Sequence, residues 1–366
     1  TNFWASLSAG GLYGGEDGDE YSAIGRLIGG NYADRLWGDD QNNLIAGLDG
    51  NDRLFGEAGD DHLEGGKGAD RLDGGAGTDV ASYITSAEGV AVSLGDDGAE
   101  TFGQGGDAAG DRLTNIEQLI GTHFSDVLTG NSVDNILSGE SGNDFIEGGA
   151  GADTLIGGQG TDFLVYRSSD AGVSINLEAG TASGGHAEGD RFAAFEGIIG
   201  SSFGDTLVGD AGVNLIEGGA GADYIDGGAG NDAVSYAESD EGVELDFVNN
   251  IFRGGDAEGD VLLNIENVIA SNFDDKITVQ GDAIVLAGDG DDLITAYGGN
   301  TRIDGGAGFD RATFENFDNA AYFTGLQRGE IELMFGGDLL NQYNAVVAGT
   351  PLRSEERRVG DGCKLC

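Results

Sequence analysis

The chain has 366 residues, with 71 Gly, one Pro and 66 Asp plus Glu against 17 Lys plus Arg, a formal net charge of −49. So acidic a surface repels nucleic acid and anionic membranes, and it opposes its own compaction until cations neutralise it. Glycine stands far above its usual share of about 7%, yet hydrophobic residues reach 39%, too many for a disordered linker.

No apolar run of about 18 residues occurs, so no transmembrane segment is expected. No secretory leader reads near Thr1, and without an initiating Met the chain is expected to be a fragment or a processed piece.

Residues 1–28 are irregular and read as an N-terminal capping segment. From Gly29 the sequence repeats every nine residues, with starts at Gly29, Gly38, Gly47, Gly56, Gly65 and Gly74. Position 6 holds Asp34, Asn43, Asp52, Asp61, Asp70 and Asp79, and position 8 holds Leu36, Ile45, Leu54, Leu63, Leu72 and Ala81. The pattern is Gly-Gly-x-Gly-x-Asp-x-apolar-x, and this first block spans 29–82.

A spacer, 83–120, leads to a second block, 121–165, carrying Asp126, Asn135, Asp144, Asp153 and Asp162. Spacer 166–199 precedes a third block, 200–235, with Asp205, Asn214, Asp223 and Asp232. Spacer 236–269 precedes a degenerate fourth, 270–313, with Asp275, Asp292 and Asp310 and a slip of register near Val279. The spacers are themselves similar. Each opens on a Tyr (Tyr83, Tyr166, Tyr236), passes through strand-like alternation after Gly89, Gly172 and Gly242, and reaches Gly-Gly-x-Ala-x-Gly-Asp ending at Asp111, Asp190 and Asp260.

Residues 314–352 lose the repeat, and Phe314, Tyr322, Phe323, Met334 and Phe335 suggest a C-terminal cap over an open roll end. Residues 353–366 are basic, unlike everything before them, and read as a non-native tail. Both cysteines, Cys363 and Cys366, lie there, so no disulfide framework exists; their Cys-x-x-Cys spacing is the alternative redox or metal motif.

The nonapeptide has a physical reading. Glycine-rich positions 1 to 6 permit tight turns with positive φ and hold no regular strand. Positions 7 to 9 make a three-residue strand whose middle residue points inward. Two nonapeptides therefore close one coil, and stacked coils pair in parallel at about 4.8 Å. The aliphatic core so formed is too thin to be stable alone.

Stacking also sets Asp52 over Asp70 and Asp61 over Asp79. Like charges about 5 Å apart cost about 1 kcal/mol in water and about 3 kcal/mol at an effective dielectric of 20. A hard divalent cation between the coils reverses that sign. Calcium accepts six to eight oxygens from carboxylates and carbonyls, whereas magnesium demands tighter octahedral geometry and zinc prefers Cys or clustered His. About fifteen copies in register, with the apolar residue keeping step with the aspartate, exclude a low-complexity linker.

These motifs resemble the RTX family of haemolysin-type calcium-binding repeats, over residues 29–313. The resemblance implies an all-β, right-handed parallel β-roll, or β-solenoid, with calcium between the turns of repeats n and n+2, and export by bacterial type I secretion. On that mapping the metal ligands are Asp34, Asp52, Asp61, Asp70, Asp79, Asp126, Asp144, Asp153, Asp162, Asp205, Asp223, Asp232, Asp275, Asp292 and Asp310. The best sites pair Asp52 with Asp70, Asp61 with Asp79, Asp144 with Asp162, Asp205 with Asp223, and Asp292 with Asp310. Asn43, Asn135 and Asn214 depart from the pattern and should weaken or lose a site.

Other chemistry finds little support. His-Glu-x-x-His is absent, and His62, His123 and His186 are isolated. Glu117, Glu196 and Glu266 could be paired with other carboxylates for glycosidase work, but their recurrence in every super-repeat favours structure. The Gly-Gly-x-Ala-x-Gly-Asp elements are either extra metal loops or simple tight turns. Outward positions in the first block hold no threonine array for ice binding; Arg35, Arg53 and Arg71 stack there, either to receive the 1–28 cap or as a solvated ladder.

The expected function is calcium ion binding by a secreted, extracellular or cell-surface module with a structural, adhesive or secretion-assisting role and no catalytic residue. The alternative is the C-terminal part of a secreted enzyme or toxin. Calcium ions are the expected partners, alongside a protein, glycan or cell-surface partner that the sequence does not specify.

Overall fold

The computed structural model describes residues 4–6, 11–13 and 25–315. Short glycine-punctuated segments cannot sustain helices, and the described residues hold strands and four 3₁₀ turns but no α-helix. Strands are mostly three residues long, as the nonapeptide predicts. The sequence-based expectation fails in part: Leu44–Asp49, Arg53–Ala58, His62–Lys67, Arg71–Ala76, Ile136–Ser141 and Thr154–Gln159 continue through position 3 of the next repeat. A left-handed residue at position 2 accommodates this, glycine at Gly66 and Gly75 and non-glycine at Leu48 and Glu57.

Successive strands alternate between opposing sheets, and each pairs in parallel with the strand two repeats on, as in Leu36↔Leu54↔Leu72 and Ile45↔Leu63↔Ala81. The result is an all-β parallel roll. Position 8 points inward through the blocks, up to the last repeat, where Ala312 is exposed. Leu36, Ile45, Leu54, Leu63, Leu72 and Ala81 are all buried, and the same interior ladder continues through Leu128, Ile146, Leu164, Ile198 and Ile216 to Ile294. Each such side chain removes its apolar surface from water, a gain of about 1.5–3 kcal/mol.

The spacers do not interrupt this roll; they reseat it. In 83–120, Ala91–Ser93 pairs in parallel with Val127–Thr129 and so founds a new sheet. The chain then doubles back through Thr101–Phe102, and Arg112–Thr114 closes the old sheet by pairing with Arg71–Asp73. The same exchange recurs when Ser174–Asn176 starts a stack on Thr206–Val208 and Arg191–Ala193 ends one on Thr154–Ile156. It recurs again with Glu244–Asp246 and Val261–Leu263. Among the described residues, five sheets of seven, ten, eight, five and five strands result, divided by three seams.

The central strands of the ten-stranded sheet, from Phe163–Val165 to Ile284–Leu286, are buried on both faces. Phe145, Phe163, Val165, Ile199 and Leu215 form a second buried cluster on its outer side, with Phe145 and Phe163 stacked at 4.6 Å. Outward positions there are not the solvated ones of the first block, in line with near-continuous apolar strands such as Phe163–Val165.

At the N-terminal end, Trp4–Ser6 pairs in parallel with Arg35–Trp37, with Gly11–Tyr13 antiparallel beside it. Part of segment 1–28 thus covers a sheet edge. The row Arg35, Arg53, Arg71 and Arg112 lies in register on this sheet. At the other end Arg311–Glu315 extends the fourth block past residue 313, and Phe314 packs against the core. Tyr322, Phe323, Met334, Phe335, most of the 314–352 cap and the 353–366 tail with Cys363 and Cys366 lie outside the described residues. No described helix is long and apolar enough to cross a membrane.

Candidate metal centres

Each position-6 aspartate sits at the end of a glycine-rich turn, one residue before its strand. The stacking therefore brings these side chains into rows. Within a row, one carboxylate oxygen (Oδ1) accepts the backbone N–H of the residue one coil below. Asp52 N–H donates to Asp70 at 2.7 Å, Asp61 to Asp79 at 2.8 Å, Asp144 to Asp162 at 2.9 Å, Asp205 to Asp223 at 2.8 Å and Asp292 to Asp310 at 3.2 Å. All five expected pairs are thus neighbours.

The other oxygen is the decisive one. Oδ2 of Asp52, Asp61, Asp70, Asp79, Asp144, Asp153, Asp162, Asp223, Asp232 and Asp292 is buried without a hydrogen-bond partner. A buried carboxylate oxygen left bare costs several kilocalories, so ten in register need an explanation. Beside Oδ2 of Asp52, Asp61, Asp79, Asp144, Asp162 and Asp232 lies a main-chain oxygen. A Cβ placed on Gly47 or Gly139 would collide with Asp52 Oδ2 and the Gly65 carbonyl, or with Asp144 Oδ2 and the Gly157 carbonyl. Position 1 of these repeats is glycine because the two oxygens occupy the space a side chain would take.

No three His, Cys, Asp or Glu side chains converge into a metal cluster among the described residues. Carbonyls must therefore complete any cation site, and an all-oxygen set of one carboxylate row and turn carbonyls suits calcium. Electrostatics agree. Burial, followed by neighbouring carboxylates, pushes Asp70 and Asp223 up to about 8 and Asp144 up to about 9. Asp79, Asp153 and Asp162 rise to about 7, and Asp52, Asp232 and Asp292 to about 6, burial being the leading cause each time. Asp61 is raised likewise. The fold holds more negative charge than it can solvate.

Five other expected ligands differ. Asp126, Asp205 and Asp275 open their rows, and both oxygens of each are hydrogen-bonded. The amide and hydroxyl of Thr122, Ser201 and Ser271 donate to them, and the amides of Val90, Val173 and Val243 complete the set. Asp34 Oδ2 accepts the Gly30 amide at 2.6 Å, and Asp310 is exposed. The asparagines close on themselves: Asn135 and Asn214 accept the amides of Asn131 and Asp210 and donate to the carbonyls of Glu117 and Glu196. Asn43 accepts the amide of Asp39. None of the three keeps a bare oxygen.

The rows also contain residues that the nonapeptide count passes over. Asp111, Asp190 and Asp260 accept the amides of Asp70, Asp153 and Asp223. Glu117, Glu196 and Glu266 accept those of Asp79, Asp162 and Asp232. A signal was present: Asp111-Arg-Leu113 and Glu117-Gln-Leu119 both repeat the acid-x-apolar spacing of positions 6 to 8. The Gly-Gly-x-Ala-x-Gly-Asp elements form 3₁₀ turns at Gly106–Ala108, Gly185–Ala187 and Gly255–Ala257 that deliver these aspartates.

Sequence comparison adds the family. A profile of the RTX calcium-binding nonapeptide repeat matches residues 24–54, 47–81, 120–164, 199–234 and 268–312, together half of the chain. This chain belongs to the RTX family. It is a calcium-binding repeat protein, and the matched residues carry the carboxylate ladders described above. No curated protein gives a match.

Proposed function

We propose that this RTX roll is a secreted module that folds on meeting extracellular calcium and serves a structural, adhesive or secretion-assisting role. The observation that carries the proposal is the set of ten buried, unpartnered Oδ2 atoms, six of them beside main-chain carbonyls. Calcium placed there satisfies each bare oxygen and cancels the row repulsion. The ligands assigned are the row aspartates, with Asp52, Asp61, Asp70, Asp79, Asp144, Asp153, Asp162, Asp223, Asp232 and Asp292 foremost. No reaction is assigned to the chain itself.

Linkage supplies the mechanism. Extracellular calcium modules have dissociation constants of about 10⁻⁴ to 10⁻³ M, and each site at tenfold that concentration adds about 1.4 kcal/mol to the folded state. At cytosolic calcium the same sites add almost nothing. The chain therefore stays unfolded before export and compacts outside, its thin core being insufficient alone. Far-UV circular dichroism at neutral pH tests this: β signal is expected with millimolar calcium and loss of it with chelator. An unchanged spectrum after thorough chelation refutes the reading.

A further inference from the structure

Each seam contributes a glutamate to a row built otherwise of aspartates. Glu117, Glu196 and Glu266 follow spacers, not glycine-rich turns. Yet Oε2 of each accepts the amide of Asp79, Asp162 or Asp232 at 2.9 Å, matching the 2.7 to 2.9 Å of aspartate pairs inside the blocks.

Two further observations point to a ligand. Asp79, Asp162 and Asp232 are fully buried, and Oδ2 of each has no partner. A carbonyl arrives from the seam to face it. A Cβ on Gly74, Gly157 or Gly227 would collide with the carbonyl oxygen of Asn115, Ala194 or Asn264 as well as with that Oδ2. Within the first block, Gly56 shows the same arrangement with Asp61 Oδ2 and the Gly74 carbonyl. Asn115, Ala194 and Asn264 have φ of 52°, 60° and 51°. That left-handed backbone is unfavourable for alanine, and here it aims a carbonyl where a nonapeptide glycine would supply one.

The neighbouring row of each seam is built differently. Asp111, Asp190 and Asp260 carry a tyrosine hydroxyl on the second oxygen, from Tyr83, Tyr166 and Tyr236 at 3.2, 2.9 and 2.7 Å. The three atoms nearest a Cβ on Gly65, Gly148 or Gly218 all belong to the row aspartate, so no seam carbonyl enters at that closeness.

We propose that Glu117, Glu196 and Glu266 complete three additional calcium sites, one in each seam, against Asp79, Asp162 and Asp232. The seams then bind calcium as the nonapeptide blocks do, and the metal rows cross from one block to the next. This inference rests on calcium binding by the aspartate rows.

Anomalous diffraction at long wavelength, from crystals of the chain grown in calcium, tests both levels separately. Peaks beside Asp79, Asp162 and Asp232 facing the glutamates, in addition to peaks between nonapeptides, are expected. Peaks between nonapeptides alone overturn the seam sites. A map without calcium peaks anywhere overturns the reading of the rows as well. In solution, the Glu117→Gln, Glu196→Gln, Glu266→Gln triple variant is expected to hold three fewer calcium ions per chain by elemental analysis after equilibrium dialysis, and an unchanged count overturns the proposal. Should that variant not fold, the wild-type map decides.

Discussion

Replacing Asp144 by Asn should have opposite effects with and without calcium. Asp144 lies mid-row: its Oδ1 accepts the Asp126 amide, its own amide donates to Asp162, and its Oδ2 is bare. Burial, then the charges of Asp126 and Asp162, push it up to about 9. At pH 7 the ion-free roll must therefore carry it protonated. Relative to an exposed carboxyl this costs on the order of 4 kcal/mol. Asn removes that cost, keeps an acceptor oxygen, and can donate to a carbonyl as Asn135 and Asn214 do.

The folded value exceeds the unfolded one, so the group's contribution to the ion-free fold is complete below about pH 4 and is lost as pH rises toward 9. In chelator, β signal is thus expected to be strongest in mild acid and to fade upward. Asp144→Asn should move the fading to higher pH. With calcium the sign reverses. Asp144 lines the site it shares with Asp162, and a site lost at tenfold saturation removes about 1.4 kcal/mol. The variant should then melt earlier by the equivalent of about 1.4 kcal/mol. Circular dichroism against pH in chelator, and melting at neutral pH in calcium, give the two signs. A variant that weakens the fold under both conditions, or a chelated wild type that gains β structure as pH rises, refutes the electrostatic argument.

Gly139→Ala would push a methyl onto Asp144 Oδ2 and the Gly157 carbonyl. Calorimetric titration should show fewer calcium ions bound, while alanine at Gly180, where a Cβ meets nothing, should leave the count unchanged and cost only the strain of its φ of 62°. Tyr166→Phe leaves Asp190 Oδ2 without its 2.9 Å donor, a loss of about 1–3 kcal/mol by thermal melting, with the calcium count preserved.

The repeating units were legible in the sequence because one nonapeptide carries its own turn, strand, core residue and carboxylate. Position 8 faces inward at Leu54 and Leu63 for the local reason that strand side chains alternate, and Asp52 meets Asp70 because identical coils stack in register. The spacers were less legible. Their partners lie 34 to 41 residues away, as between Glu196 and Asp162 or Asp111 and Asp70, where no fixed period operates. The expected equivalence of Asp126 with Asp144 also missed a distinction. Thr122 donates to both oxygens of the first, while Oδ2 of the second has no donor, a difference made by which residue faces each side chain in the stack.

The nonapeptide alone thus determined the roll, its interior ladder and its affinity for a hard cation, since those follow from local geometry repeated at constant pitch. Tertiary structure decided which carboxylate oxygens are bare, how the three seams hand one sheet to the next, and that glutamates enter the aspartate rows. Those outcomes depend on contacts between segments far apart in the chain. Only closure of the coil brings Asn115, Ala194 and Asn264 to face the glycines of the preceding block.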